Sequence, residues 1–449
     1  MVTYRQRVRE IERRLAGRRL VYFGTRGTDA RSLLEISNFE EVFSQIAPLE
    51  AVGIQETCLE TLKKERVDLD SYSIDQDSSE AVHEIRKGLL RAFSRPAAVI
   101  PYRPSAVLAS ACFTRANLVK YMGLFHEFQA CFEHKPWIET QLAEAGVRVV
   151  PWRYFADDDM ALIREAAEAG PIVLRTNRSD GGAGLTLAEK PSQLQREWPI
   201  HNEGFLAAAP FLTPAIPLNV NACVFSGGEV SLHAPSLQII GIPACTNRRF
   251  GYCGNDFAAV GELDRKLLYD LEQIVLTTGR WLGKKGYLGA FGVDAIVHSG
   301  TVYLVEVNPR FQGSSAHAAA LDRELDLPDL YLDHMAAFLD LPAPEGISLA
   351  DQARLQPKLA HVVAHNLSGH SLAIARPDSD RFPVRCTLLP HPEVAISDRG
   401  ILFAAIFQSS VTETGMELLP YIADQIEFLL RTILTRQQLA SILTDPQSC

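Results

Sequence analysis

The sequence predicts a multidomain protein that combines α/β and α+β architecture, and three observations carry that prediction. At 449 residues the chain is too long for one ordinary core. Up to Ile100, strand-like and helical segments alternate as in a small three-layer α/β unit. From Gly289 to Ser315 two Val-, Ile- and Tyr-rich runs flank Ser299-Gly300, which is the pattern of a β-hairpin. These features divide the chain into an N-terminal open α/β domain over 1–112, a core over 113–345 and a C-terminal α+β module over 346–449.

Composition narrows the function classes. Hydrophobic residues at 47% and charged residues at 22% are globular values. A net charge of -10 offers no general attraction for nucleic acid, and no apolar run approaches a membrane span. The eight cysteines (58, 112, 131, 223, 245, 253, 386, 449) include no C-x-x-C pair, so reduced thiols in a cytoplasmic protein are expected. The Arg-rich N-terminus has neither the apolar core of a signal peptide nor the serines of a transit peptide.

Taken in order, Val8, Ile11 and Leu15 form the stripe of a first helix, and the run from Arg19 reads as a buried strand entering the turn Gly24–Gly27. Ala98–Ile100 is the last strand before Pro101 and Pro104. A helix starts at Pro136, stops at Gly146 and is preceded by Lys135. After a surface helix from Asp157 to Ala169, the strand Ile172–Arg175 leads through Ser179-Asp180-Gly181-Gly182-Ala183-Gly184 to Leu185–Leu187. Glycines there allow close backbone approach to an anion, but no G-K-[ST] opens a helix, so this is not a Walker loop. Two strands, Leu218–Phe225 and Glu229–Ala234, flank Ser226-Gly227-Gly228. Arg248 and Arg249 lie in the loop Gly241–Phe257, where an anionic substrate would find guanidinium groups. A helix over Asp264–Leu282 and helices around Leu321–Leu341 cover the sheet, and Pro342–Gly346 is a linker. The last hundred residues alternate strand-like runs and end in a helix over Leu418–Leu443, without a motif; His361, His365 and His370 are too irregularly spaced for a metal site.

The hairpin carries the chemistry. Glu306 and Asn308 are two apart on one strand, with Asp294 on the other, and together they make an all-oxygen set suited to Mg²⁺. Val305 and Val307 are expected to face the core, while Pro309 ends the strand and leaves Arg310 at the rim, ahead of Gly313-Ser314-Ser315. A plain two-residue turn would place Val305 opposite Asp294 and split the ligands. A longer turn or a bulge, which the metal reading requires, pairs Asp294 with Glu306.

This acidic residue followed by E-x-N-P-R resembles the metal-binding hairpin of the ATP-grasp superfamily, and the resemblance extends in order from about Thr114 to Asp340. It implies a core of two α+β subdomains sandwiching ATP, with Mg²⁺ (two ions, Mn²⁺ as an alternative) on Asp294, Glu306 and Asn308. Arg310 would act at the transferred phosphate. Lys135 and Arg175 would reach the nucleotide phosphates, and Ser179, Gly181, Gly182 and Gly184 would fold over them. Arg175 stands where the family usually has Lys. The segment Leu206–Leu212, with Ala209, Phe211 and Leu212, would pass the adenine; Glu203 is the nearby acidic residue for the ribose. Arg248, Arg249 and Ser314 are substrate candidates. The implied activity is a carboxylate–amine ligase acting through an acyl phosphate, with small-molecule carboxylate and amine partners, no nucleic acid or membrane, and room for a homodimer. A biotin-carboxylase-like subunit is the second reading, although no M-K-M biotinyl site occurs. A non-catalytic nucleotide-binding module is the third.

Overall fold

The structure is a computed structural model that describes residues 2–156, 159–177, 181–194, 204–374, 382–435 and 438. The first helix, Tyr4–Leu15, buries Val8, Ile11 and Leu15, and Thr3 caps it by accepting from the Gln6 N–H. The strands that follow are β1 (Arg19–Arg26), β2 (Phe39–Ile46), β3 (Gln55–Cys58), β4 (Glu65–Arg66), β5 (Ala97–Pro101), β6 (Val119–Tyr121) and β7 (Arg153–Ala156). Next come β8 (Ile172–Arg175), β9 (Leu185–Ala188), β10 (Phe205–Pro210), β11 (Ile216–Val224), β12 (Val230–Leu232), β13 (Ser236–Ile240) and β14 (Tyr252–Asp256). The hairpin strands are β15 (Gly289–His298) and β16 (Thr301–Asn308). Beyond them lie β17 (Ala360–His365), β18 (Leu372–Ala373), β19 (Arg385–Thr387), β20 (Ala395–Ile396) and β21 (Ile401–Phe407).

Near the N-terminus, β3-β2-β1-β5-β6 form a parallel sheet. Both faces of β1 are covered, as a parallel strand requires: Leu20 and Tyr22 pack with the first helix, Val21 and Phe23 with the helix Glu80–Ala92. A small antiparallel sheet, β7-β10-β8-β9, has its own core around Phe155, Ile163 and Leu174. The large antiparallel sheet runs β16-β15-β11-β13-β14-β17-β21-β19, with β12 on β11. The helix Arg265–Lys284 covers it through Leu268, Leu271, Ile274 and Val275. Strands β17, β19 and β21, from the last hundred residues, thus continue the sheet that carries the hairpin. A short sheet, β18-β20-β4, ties the same region back to the N-terminal part. The final helix is described over Pro420–Ile433; most of its expected extension to Leu443 lies outside the described residues.

At the hairpin both possibilities of register can be compared with what forms. Ser299 and Gly300 have φ of 49° and 71°, so the turn is a tight two-residue one with His298 opposite Thr301. The register shifts between Asp294 and Ala295: Ala295 pairs with Leu304 and Asp294 with Glu306, leaving Val305 as the extra residue of a β-bulge. Val307 enters the core as expected. Val305 does not; the bulge turns it toward the cavity beside Glu306.

Candidate active site

A cavity of about 360 Å³ lies between the small sheet, the large sheet and the end of the N-terminal sheet. Asp294, Glu306, Asn308 and Arg310 all line it. Asp294 is ringed by amides. Its Oδ1 accepts from Asn219 (2.7 Å), Gln238 (2.9 Å) and Gln312 (3.2 Å), and its Oδ2 from Asn308 (3.0 Å). Because Asn308 donates its Nδ2 to Asp294, its carbonyl oxygen is left as an acceptor. Burial, and then the neighbouring Glu306 charge, push the Asp294 carboxyl up to about 6.

A cation already stands at this set. Lys135, at the start of the helix Lys135–Glu144, brings its Nζ to 2.8 Å from Glu306 Oε1. That helix ends with Gly146 at φ 87° and Val147 N–H bonded back to Leu142, so Lys135 is held on a properly capped element. Among the described residues no group of three or more His, Cys, Asp or Glu side chains gathers for a metal. The candidate set is two carboxylates and an amide, and an ammonium bound to one of the carboxylates shows that it attracts a cation. These donors fit Mg²⁺.

Arg310 is largely buried, with Nε 3.4 Å from Glu133 Oε1 and Nη1 donating to the Phe311 carbonyl. Ser314 also lines the cavity, donating to Asn219 Oδ1 (2.7 Å) and accepting from Asn221 Nδ2 (2.9 Å). Ala209, Phe211 and Leu212 line the other end with Trp152 and Val173. Gly181 and Gly182 line it too, at φ 54° and 76°. A Cβ on Gly181 would meet the Asp70 carboxylate and one on Gly182 the Phe250 carbonyl, so both positions need glycine for close packing between segments. Gly184 does not line the cavity. Ser179, Asp180 and Glu203 lie outside the described residues.

The three arginine candidates of the middle of the chain are also placed elsewhere. Arg175 is 2% exposed and does not line the cavity. Its guanidinium pairs bidentately with Glu139 (2.6 and 2.9 Å) and lies 3.9 Å from the Trp152 ring centroid. Arg248 bridges Asp68 (3.1 Å) and Asp70. Arg249 is exposed, pairs with Glu189 (3.2 Å) and sits over Phe211.

Other lining residues had no sequence signal strong enough to find them. Asn219, Gln238 and Gln312 are amides on separate elements, with nothing in their spacing to connect them. Arg26 and Tyr102 come from the N-terminal sheet, Val363, His365 and Ile401 from the C-terminal strands. The turn after β1 is the one place where a hint existed, since Arg26 lies within Gly24–Gly27.

Known proteins share the fold that frames this cavity. Residues 150–314 match the ATP-grasp domain family. No curated protein matches the sequence. Among solved structures, biotin carboxylase from Campylobacter jejuni, a beta-gamma-ATP complex, superposes with a TM-score of 0.59 at 14% identity, covering 95% of each chain. N5-carboxyaminoimidazole synthetase from Staphylococcus aureus, complexed with ADP, gives 0.56 at 12% identity over 92% of this chain and 96% of that one. The biotin carboxylase domain dimer of Hydrogenobacter thermophilus 2-oxoglutarate carboxylase, in complex with MgADP and bicarbonate, gives 0.61 at 12% over 87% and 86%. With residues 150–314 matching that family, the fold of the chain is the ATP-grasp fold.

Proposed function

We propose that the protein is an ATP-dependent carboxylate–amine ligase that makes an acyl phosphate and releases ADP and phosphate. The observation that carries this reading is the bulge at Val305, which sets Glu306 opposite Asp294 and beside Asn308, all lining one cavity with Arg310. Glu306, Asn308 and Asp294 would hold Mg²⁺, which when bound neutralises charge on the nucleotide phosphates. Lys135 would leave Glu306 and turn to the phosphates as the nucleotide enters. Ala209, Phe211 and Leu212, with Trp152, would hold the base.

The first step forms a bond between a carboxylate oxygen and the γ-phosphorus and breaks the bond from that phosphorus to the β–γ bridging oxygen, giving ADP. In the second, the amine nitrogen attacks the acyl carbon, phosphate departs with the C–O bond, and the nitrogen gives up a proton. Arg310 at the rim would stabilise the charge on the transferred group. Arg175 is committed to Glu139 and Trp152, and its part in this scheme is to hold the Trp152 wall rather than to bind phosphate.

Phosphate release, measured across a panel of carboxylic acids and amino acids, tests the proposal. Turnover is expected only when both an acid and an amine are present. Turnover driven by bicarbonate without an organic acid would move the reading to the carboxylase type. The seven described cysteines are free thiols, in keeping with a cytoplasmic enzyme.

A further inference from the structure

Lys135 and Glu306 are brought together by the backbone as well as by their charges. The helix Lys135–Glu144 buries Ile138 and Leu142 in the core that also takes Leu304 and Val307. The chain leaving that helix then lies along β16. There the Leu304 N–H donates to the Arg148 carbonyl (2.8 Å) and the Val150 N–H to the Leu304 carbonyl (3.1 Å). Leu304 precedes Glu306 on the same strand. Helix and strand therefore hold one another in place, and Lys135 Nζ comes to 2.8 Å from Glu306 Oε1 with its side chain 10% exposed.

The rest of the donor set is engaged as well. Asp294 accepts from the amides of Asn219, Gln238, Gln312 and Asn308. A divalent cation needs such oxygens as ligands, so it must compete with the groups already bonded to them. At Glu306 it would displace an ammonium and leave it largely buried without its counter-charge, which is costly. A nucleotide removes that obstacle, because its phosphates give the ammonium a new counter-charge as the metal takes Glu306. Metal and nucleotide then favour each other's binding by the same factor.

We propose that Lys135 guards the metal site. Its ammonium occupies Glu306 until nucleotide phosphates draw it off, so the protein takes up a divalent cation with the nucleotide and rejects the free ion. The proposal rests on the reading of Asp294, Glu306 and Asn308 as the ligands, and it deepens that reading by fixing the order of entry.

Mn²⁺ is the probe, followed by electron paramagnetic resonance on the full chain without nucleotide. Wild type is expected to bind the free ion weakly. Lys135→Met keeps a side chain of similar length, removes the ammonium, and should bind Mn²⁺ at least tenfold more tightly. Lys135→Gln, read in the same way, replaces it if the first variant does not fold. Lys135→Arg, which keeps a cation, should stay close to wild type, and adding Glu306→Gln to Lys135→Met should abolish the gain. In calorimetry, wild type should bind the preformed complex of Mn²⁺ with a non-hydrolysable ATP analogue at least tenfold more tightly than Mn²⁺ alone. Lys135→Met binding Mn²⁺ no better than wild type overturns the proposal. So does an equal gain in Lys135→Arg, a gain that survives Glu306→Gln, or wild type that binds the complex no more tightly than the free ion. None of these readouts involves an acid or an amine. A guarded Mn²⁺ site in a chain that joins no acid to an amine would uphold the proposal and overturn the ligase reading.

Discussion

On the wall formed by β15 and β16, Asp294, Glu306 and Asn308 turn into the cavity; on the wall formed by β8 and β10, Arg175 turns into Glu139 and Trp152 instead. Both groups were nominated by their place in the same ordered motif. The difference lies in what each side chain finds inside the protein. Among the described residues Glu306 has a lysine ammonium as its counter-ion, at partial exposure, so incoming groups can compete for it. Arg175 has a bidentate carboxylate and an aromatic face at 2% exposure, and little is left to offer a ligand. A buried charge held bidentately by a counter-charge acts as structure. A charge with a replaceable partner acts as a site.

Substitutions on each wall should separate these roles. Glu306→Gln keeps the shape and removes the charge that holds a cation at the hairpin. ATP turnover is expected to fall by about a hundredfold or more, with the circular dichroism spectrum and thermal midpoint close to wild type. Near-normal turnover would make the two walls alike, both structural.

The next largest effect belongs to the other wall. Glu139→Gln leaves the Arg175 charge buried without its counter-charge and should cost about 3 kcal/mol of stability in denaturant unfolding. If Arg175 instead served the nucleotide phosphates, freeing it from Glu139 would preserve or tighten nucleotide binding with little loss of stability. Stability and nucleotide affinity measured on this one variant distinguish the two cases.

A smaller effect comes from the base of the hairpin. His334 Nδ1 accepts from the Ala290 N–H (3.0 Å) and Nε2 donates to the Met122 carbonyl (2.7 Å). Burial holds its pKa down to about 4. The folded state therefore favours the neutral ring. This stabilisation is complete above the unfolded pKa near 6.5 and is lost as pH falls toward 4. The stability gap between wild type and His334→Gln should narrow by roughly 2 kcal/mol between pH 7 and pH 5. A gap independent of pH would remove the histidine from the account of the hairpin.

The same contrast explains what was legible in the sequence. The need for Asp294 and Glu306 to share a face already implied an irregular register, because a plain two-residue turn would split them. The structure meets that need with a bulge, and the bulge is also why Val305 leaves the core, which alternation alone could not show. Arg175 was legible as a cation in the right place, but not as a paired one, since Glu139 lies on a helix 36 residues earlier. The wall around Arg26, Tyr102, Val363 and Ile401 left little trace because its residues come from opposite ends of the chain. They meet only through the parallel sheet on one side and the continuation of the large sheet through β17 and β21 on the other.

The central claim is that the hairpin wall directs attack at the γ-phosphorus. The most direct test is chromatographic identification of the nucleotide product once the phosphate-release panel has found an active pair of substrates. The account predicts ADP and inorganic phosphate, each formed in proportion to the joined product. Stoichiometric AMP and pyrophosphate would place the attack at the α-phosphorus and contradict it.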